Sequence, residues 1–219
     1  MNYNTRFKEI TDHLTRMAEL VDEELTLAQK SLGEADKTLH EQVRASDKKV
    51  NALNDETEKL IAKMFMMQNP MASDLRYILS AYKAAVSLER IGDIAKGVTK
   101  RMVRKENPLR DNVRVELSSL VEVDKQMINS AIKSFIEQTP DTATEVWRRD
   151  EEADNLCRRV FALVIAEMQK SPLEAHHMID YLFAAKNFER VADYATGIAK
   201  TVHYVATGVR PKKSILENM

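Results

Sequence analysis

Glu89 and Asp93 stand four residues apart, and so do Glu189 and Asp193. At that spacing two side chains project from one face of a helix. Both pairs continue apolar lines by steps of three and four: Leu75, Ile78, Leu79, Tyr82, Ala85 and Val86 before the first, and Met178, Ile179, Leu182 and Ala185 before the second. Their face is therefore expected to look inward or at a neighbouring helix. Asp47 with Asn51, and Asp150 with Asp154, repeat the spacing upstream. Each half of the chain could bring two such pairs together from adjacent helices. Carboxylates held that closely repel one another, and removal from water raises the cost. A cation relieves both, and facing carboxylates are how helical bundles build metal sites. The all-oxygen donor set suits hard cations, or iron and manganese at a carboxylate site. The competing reading is a solvated helix face on which Arg90 or Lys96 neutralises Asp93 at spacing three.

Other chemistries find little support. There is no Gly-rich phosphate loop, no GxSxG turn and no HExxH, so no catalytic residue is expected and the chain reads as a non-enzyme. Glu-x-x-His pairs, which a di-iron oxidase would need, are missing; a helical-bundle metal-storage or redox protein stays as the alternative. His13, His40 and His203 are isolated, and adjacent His176 and His177 cannot face one metal from a helix; a surface position is expected for all five. The single cysteine, Cys157, excludes an intrachain disulfide and reads as a small core residue. Gly92 and Gly97 read as permitting close helix contact. Arg148-Arg149 and Arg158-Arg159 read as solvated helix faces.

The elements that must position these residues are helices. Gly and Pro number only five each in 219 residues, too few for the turns of an all-β fold. Apolar residues at 44% and charged residues at 31% suit amphipathic helices around a shared core. Breaks at Gly33, Pro70, Pro108, Pro140 and Pro172 leave six segments, at about 5–32, 38–67, 71–104, 111–138, 141–169 and 172–207. Short connections between long helices make neighbours antiparallel. The second segment shows a bundle seam, with Val43, Val50, Thr57 and Met64 at one heptad position and Ser46, Leu53, Leu60 and Met67 at the other. Asp47 and Asn51 lie at its edge, as Asp150 and Asp154 do in the fifth segment.

The six segments are two copies of three. Residues 84–100 match 184–200 with eight identities and no gap, among them Glu89-Arg90, Asp93, Gly97 and Lys100. Asp47 to Leu53 aligns with Asp150 to Leu156 at an offset of 103, and the same offset places Ala28 on Ala131 and Leu32 on Phe135. A repeated unit signals a duplicated architecture. The expected fold is all-α, two tandem three-helix bundles related by internal pseudo-symmetry. The first repeat is expected at 1–107, the second at 108–212, and a flexible tail at 213–219.

A formal net charge of −1 provides no field for nucleic acid or an acidic membrane. No stretch reaches the roughly 18 apolar residues of a spanning helix, and residues 1–6 lack a secretory signal. The expected location is the cytoplasm.

Pro70-Met-Ala-Ser-Asp-Leu-Arg76, followed by Leu88-Glu-Arg-Ile-Gly-Asp-Ile-Ala95, resembles the signature of the PhoU family of bacterial phosphate-uptake regulators. Phe188-Glu-Arg-Val-Ala-Asp-Tyr-Ala195 is similar to its second copy, and Met17-Ala-Glu-Leu-Val21 to the family's first helix. The likeness covers residues 5–210. It implies metal clusters at the Glu/Asp-x-x-x-Asp pairs, carried over to Asp47, Glu89 and Asp93, and to Asp150, Asp154, Glu189 and Asp193. Asn51 departs from the pattern, so the first site is expected to be the weaker. Ala192 replaces a usual Gly, and His176 stands where Arg76 stands in the first repeat. The implied metals are divalent or trivalent ions: iron, zinc, manganese, magnesium or calcium. The implied role is negative, indirect control of the phosphate regulon. It links the phosphate ABC transporter and its ATPase to a sensor histidine kinase at the inner face of the membrane. The protein would reach the membrane only through these partners, as a homodimer, without binding nucleic acid directly.

Overall fold

The computed structural model describes residues 3–67, 71–103, 111–172 and 175–209. Six helices follow in chain order: α1 (Tyr3–Ser31), α2 (Lys37–Met67), α3 (Ala72–Met102), α4 (Asp111–Glu137), α5 (Pro140–Lys170) and α6 (Ala175–Thr207). No strand occurs among the described residues. Pro70, Pro108, the boundary after residue 107 and the tail at 213–219 lie outside them, as do the side chains of Met67, His176 and His177.

Local chemistry sets the helix ends. Asp36 accepts the Thr38 amide at 2.8 Å and so caps α2. Pro140 opens α5 at the position where a missing amide hydrogen costs nothing. Gln138 takes a positive φ of 54° after α4, and the Thr139 amide reaches back to the Ser134 carbonyl at 3.0 Å. That is a Schellman stop built without glycine. Gly208, with φ 75°, closes α6.

α1, α2 and α3 pack as one bundle and α4, α5 and α6 as the other; across the pair, α3 lies on α6 and α1 on α4. The pseudo-symmetry holds residue by residue. Buried Ile10, Leu14, Met17, Val21, Ala28 and Leu32 of the first bundle map at offset 103 onto buried Val113, Leu117, Leu120, Asp124, Ala131 and Phe135. Ser31 and Ser134 match as well, each donating to the carbonyl three residues back, at 2.7 and 2.8 Å. In α3 and α6, buried Ala84, Ala85, Leu88, Ile91 and Ala95 map at offset 100 onto buried Ala184, Ala185, Phe188, Val191 and Ala195. The buried side chains of both bundles form one continuous core. Polar contacts pin the α1–α4 face: Lys125 donates to Thr26 Oγ1 at 2.8 Å and lies 3.4 Å from Asp22.

The α3 stripe differs from the sequence expectation. Ile78 and Ala85 are buried, but Leu75, Leu79 and Tyr82 are exposed. The buried face runs instead through Ile78, Ala81, Ala84, Leu88, Ile91, Ala95 and Val98. α3 packs on α1, α2 and α6 at once, and small alanines let three helices approach; the larger residues are left on the flank. Glu89 and Asp93 therefore sit at the edge of the buried face. On α2, the seam through Val43, Val50, Thr57 and Met64 is buried, while Ser46, Leu53 and Leu60 are half-buried.

Candidate metal site

The two helices that carry the first repeat's acids are joined by a cation of the chain itself. Lys96 Nζ, on α3, donates to Asp47 Oδ2 of α2 and to Asp93 Oδ1, each at 2.7 Å. Asp47 is only 4% exposed, an unusual setting for a carboxylate. Glu89, on α3, is half-buried; burial raises its pKa, with Asp93 and Asp47 adding to the rise. Arg90 lies 3.5 Å from Glu89 and 3.8 Å from Asp93. Asp47, Glu89 and Asp93 thus form one electrostatic group. Asn51, one turn along α2, is half-buried, and its Oδ1 has no hydrogen-bond partner among the described residues.

The second repeat gathers Asp154, Glu189 and Asp193. Partial desolvation by its neighbours raises the Asp193 pKa, and Glu189 and Asp154 push it further. Glu189 is half-buried against Lys186, whereas Asp193 is exposed. Asp150, half-buried, stands one turn earlier on α5. Thr196 occupies the position of Lys96 and donates its hydroxyl to the Asp193 carbonyl. Cys157 is buried beside this group, its thiol pushed up to about 11 by burial, with Glu189 and Asp154 contributing.

Two wholly buried acids among the described residues lie outside the sequence pairs. Glu24, on α1, is wholly buried, and neither carboxylate oxygen has a hydrogen-bond partner among the described residues. Burial pushes its pKa up to about 8, and Asp47 adds to the rise. Ser46 lies close enough to oppose that rise, though not in hydrogen-bonding geometry. Gly92 makes the room for this acid, since a β-carbon there would stand 2.8 Å from Glu24 Oε2. Close helix contact at Gly92 is confirmed, but a β-carbon on Gly97 would meet nothing within 4 Å. Asp124, on α4, is also wholly buried and unpartnered among the described residues, and burial raises its pKa well above the carboxylate range. Both acids interrupt apolar seams, Met17-Val21-Glu24-Ala28 and Leu120-Asp124-Met127-Ala131. A heptad reading of the first and fourth segments would have exposed them.

Two of the described histidines also depart from expectation. His13 and His40 are half-buried, not on the open surface. His13 Nδ1 lies 3.0 Å from Thr57 Oγ1, and His40 Nδ1 lies 3.1 Å from Thr99 Oγ1. Each threonine spends its own proton on a backbone carbonyl, so the imidazole donates.

Among the described residues, no three His, Cys, Asp or Glu side chains converge in a finished ligand shell. The donor chemistry nevertheless fits a cation. Asp47 Oδ1, Asn51 Oδ1 and both Glu24 oxygens are buried without hydrogen-bond partners among the described residues, and a β-carbon at residue 92 would fill the space beside the Glu24 and Asp47 carboxylates. Buried oxygens in that state require a positive partner or a proton.

The sequence model of the PhoU domain matches this chain twice, over residues 14–102 and 117–202. This chain belongs to the PhoU family. Each match falls on one three-helix unit of the PhoU fold and includes its carboxylate pairs. A phosphate-specific transport system accessory protein PhoU homolog of Caulobacter vibrioides is 28% identical, over 98% of this chain and 96% of that protein. A homolog of the same description from Zymomonas mobilis is 30% identical, over 89% of this chain and 82% of its own length. The crystal structure of PhoU from Pseudomonas aeruginosa superimposes with a TM-score of 0.89 at 27% identity, covering 95% of this chain and all of that one, 100%. The phosphate transport system regulatory protein PhoU from Streptococcus pneumoniae shares the fold, with a TM-score of 0.86 at 23% identity over 96% of this chain and 100% of its own.

Proposed function

We propose that this protein is a metal-binding regulatory adaptor of phosphate homeostasis. It restrains the phosphate regulon from the cytoplasm by linking the phosphate ABC transporter to a sensor histidine kinase, without enzymatic activity. The observation that carries the reading is the double PhoU-domain match, one on each three-helix unit and in register with the repeated carboxylate face. The phosphate-transport descriptions of relatives matched over nearly the whole chain support the role. No helix among the described residues is long and apolar enough to cross a membrane; in this reading membrane contact runs through partners. An exposed apolar group at the end of α2 and start of α3 supports protein docking: Phe65, Met66, Met71, Leu75, Leu79 and Tyr82.

In this reading Asp47, Asn51, Glu89 and Asp93 hold a cation between α2 and α3, and Asp150, Asp154, Glu189 and Asp193 hold one between α5 and α6. A bound cation supplies the charge that lets these carboxylates stay ionised and ties the two helices together. The chain's own part is to hold the oxygens on rigid, packed helices. The protein acts as a homodimer and touches no nucleic acid directly.

Deleting the protein from its host tests the role. Expression from a phosphate-starvation reporter should rise in phosphate-replete cells, and tagged protein should retain the transporter ATPase and the kinase. An unchanged reporter would contradict the reading.

A further inference from the structure

Glu24 comes from α1, outside the pairs on α2 and α3, yet it enters the same group. It is 0% exposed, and both carboxylate oxygens lack a hydrogen-bond partner among the described residues. A β-carbon at residue 92 would stand 2.8 Å from Glu24 Oε2 and 3.7 Å from Asp47 Oδ1, so both carboxylates face one point on α3. Lys96 takes Asp47 Oδ2 and leaves Oδ1 buried and without a hydrogen bond. Asn51 Oδ1, one turn further along α2, is in the same condition. These oxygens come from two helices of one bundle and have no donor. A packed interior tolerates them poorly unless a proton or a positive centre joins them.

We propose that Glu24 is an oxygen ligand of the first repeat's cation, and that it restores the negative charge lost where Asn51 replaces an acid. The inference rests on the metal-binding reading above. The ion uses the Asp47 oxygen that Lys96 leaves free, so the lysine bridge and the ion coexist. The donors are carboxylate and amide oxygens, which select a hard divalent cation such as manganese, magnesium or calcium. The device belongs to the first repeat alone. At the repeat offsets Met127 stands for Glu24 and Ala192 for Gly92, so the second repeat has neither the acid nor the missing side chain that admits it.

The test uses the full chain carrying Glu189→Ala and Asp193→Ala, so that only the first repeat binds. Manganese affinity is read from the free-ion electron paramagnetic resonance signal, with circular dichroism reporting helicity. Glu24→Gln, which keeps the shape, should weaken manganese binding at least tenfold at unchanged helicity. Gly92→Ala, which leaves Glu24 in the sequence but crowds its carboxylate, should weaken it in the same direction. Glu24→Asp should recover part of the loss, as a ligand role demands and a packing role does not. If both Glu24→Gln and Gly92→Ala bind within threefold of the parent while Asp47→Asn binds poorly, the inference is overturned and the metal reading stands. If the unaltered chain takes up no manganese, both fall.

Discussion

Lys96 Nζ on α3 lies 2.7 Å from Asp47 Oδ2 on α2, and the lysine is the only charged hydrogen-bond donor that Asp47 has among the described residues. The side chain of Asp47 is 6% exposed and that of Lys96 is 30% exposed. Removing the ammonium strands a buried charge, which typically costs about 3–5 kcal/mol for a fully buried pair. Lys96 is partly solvated, so Lys96→Met should destabilise the metal-free protein by somewhat less, about 2 kcal/mol. Excess manganese should recover part of that loss by supplying the missing charge. Urea unfolding with and without manganese measures both effects; a variant that manganese does not help would argue against a cation at Asp47.

Glu24 and Gly92 should be energetically coupled. In the native chain Gly92→Ala puts a β-carbon 2.8 Å from Oε2 of the buried Glu24, so the end of that side chain must shift. Crowding should outweigh the helix preference for alanine, for a net loss of about 1 kcal/mol. With Glu24→Ala in place, the same change should be stabilising by about 0.5–1 kcal/mol, the ordinary glycine-to-alanine gain in a helix. Urea midpoints of the four proteins complete the cycle. Equal effects in the two backgrounds would mean that the contact does not matter.

Stability of the metal-free protein should fall as pH rises. Glu24, at about 8 in the folded chain, keeps a proton that the unfolded chain releases near 4.5. Between those values the folded state binds more protons, so each pH unit removes up to about 1.4 kcal/mol of stability per such group. Asp124, raised well above its ordinary range by burial, acts in the same sense. Unfolding in a chelator should therefore show greater stability at pH 5.5 than at pH 8, and Glu24→Gln or Asp124→Asn should each flatten the slope. Equal or greater stability of the native chain at pH 8 would contradict the burial of these acids.

Much of the fold was legible because helices leave periodic traces. The six segments read from proline, glycine and apolar spacing lie within three residues of the observed helices, and the repeat offsets align buried with buried. Where the reading failed, tertiary packing decided. Large apolar residues drew the α3 stripe toward Leu75, Leu79 and Tyr82, but alanines line the face that three helices share. His13 and His40 look like isolated surface residues until Thr57 and Thr99 arrive from other helices. For the site, spacing on single helices brought forward Asp47, Asn51, Glu89, Asp93, Asp150, Asp154, Glu189 and Asp193. Glu24 went unread because it lies one helix away, and its signature was a lone acid in an apolar seam. The weight of Lys96 was only half visible, since its spacing to Asp93 is local and its bond to Asp47 spans two helices.

The most direct test of the central claim is the metal content of the purified chain. Protein purified without chelator should carry metal, measured per chain by plasma mass spectrometry, with circular dichroism as the folding control. The double change Glu189→Ala and Asp193→Ala should remove most of it, because the second repeat keeps an acid, Asp154, where the first has Asn51. Glu89→Ala with Asp93→Ala should remove less, because Lys96 already serves Asp47 there. Metal content unchanged by the Glu189 and Asp193 changes would reject the second-repeat site, and a larger loss from the first repeat would reverse the ranking.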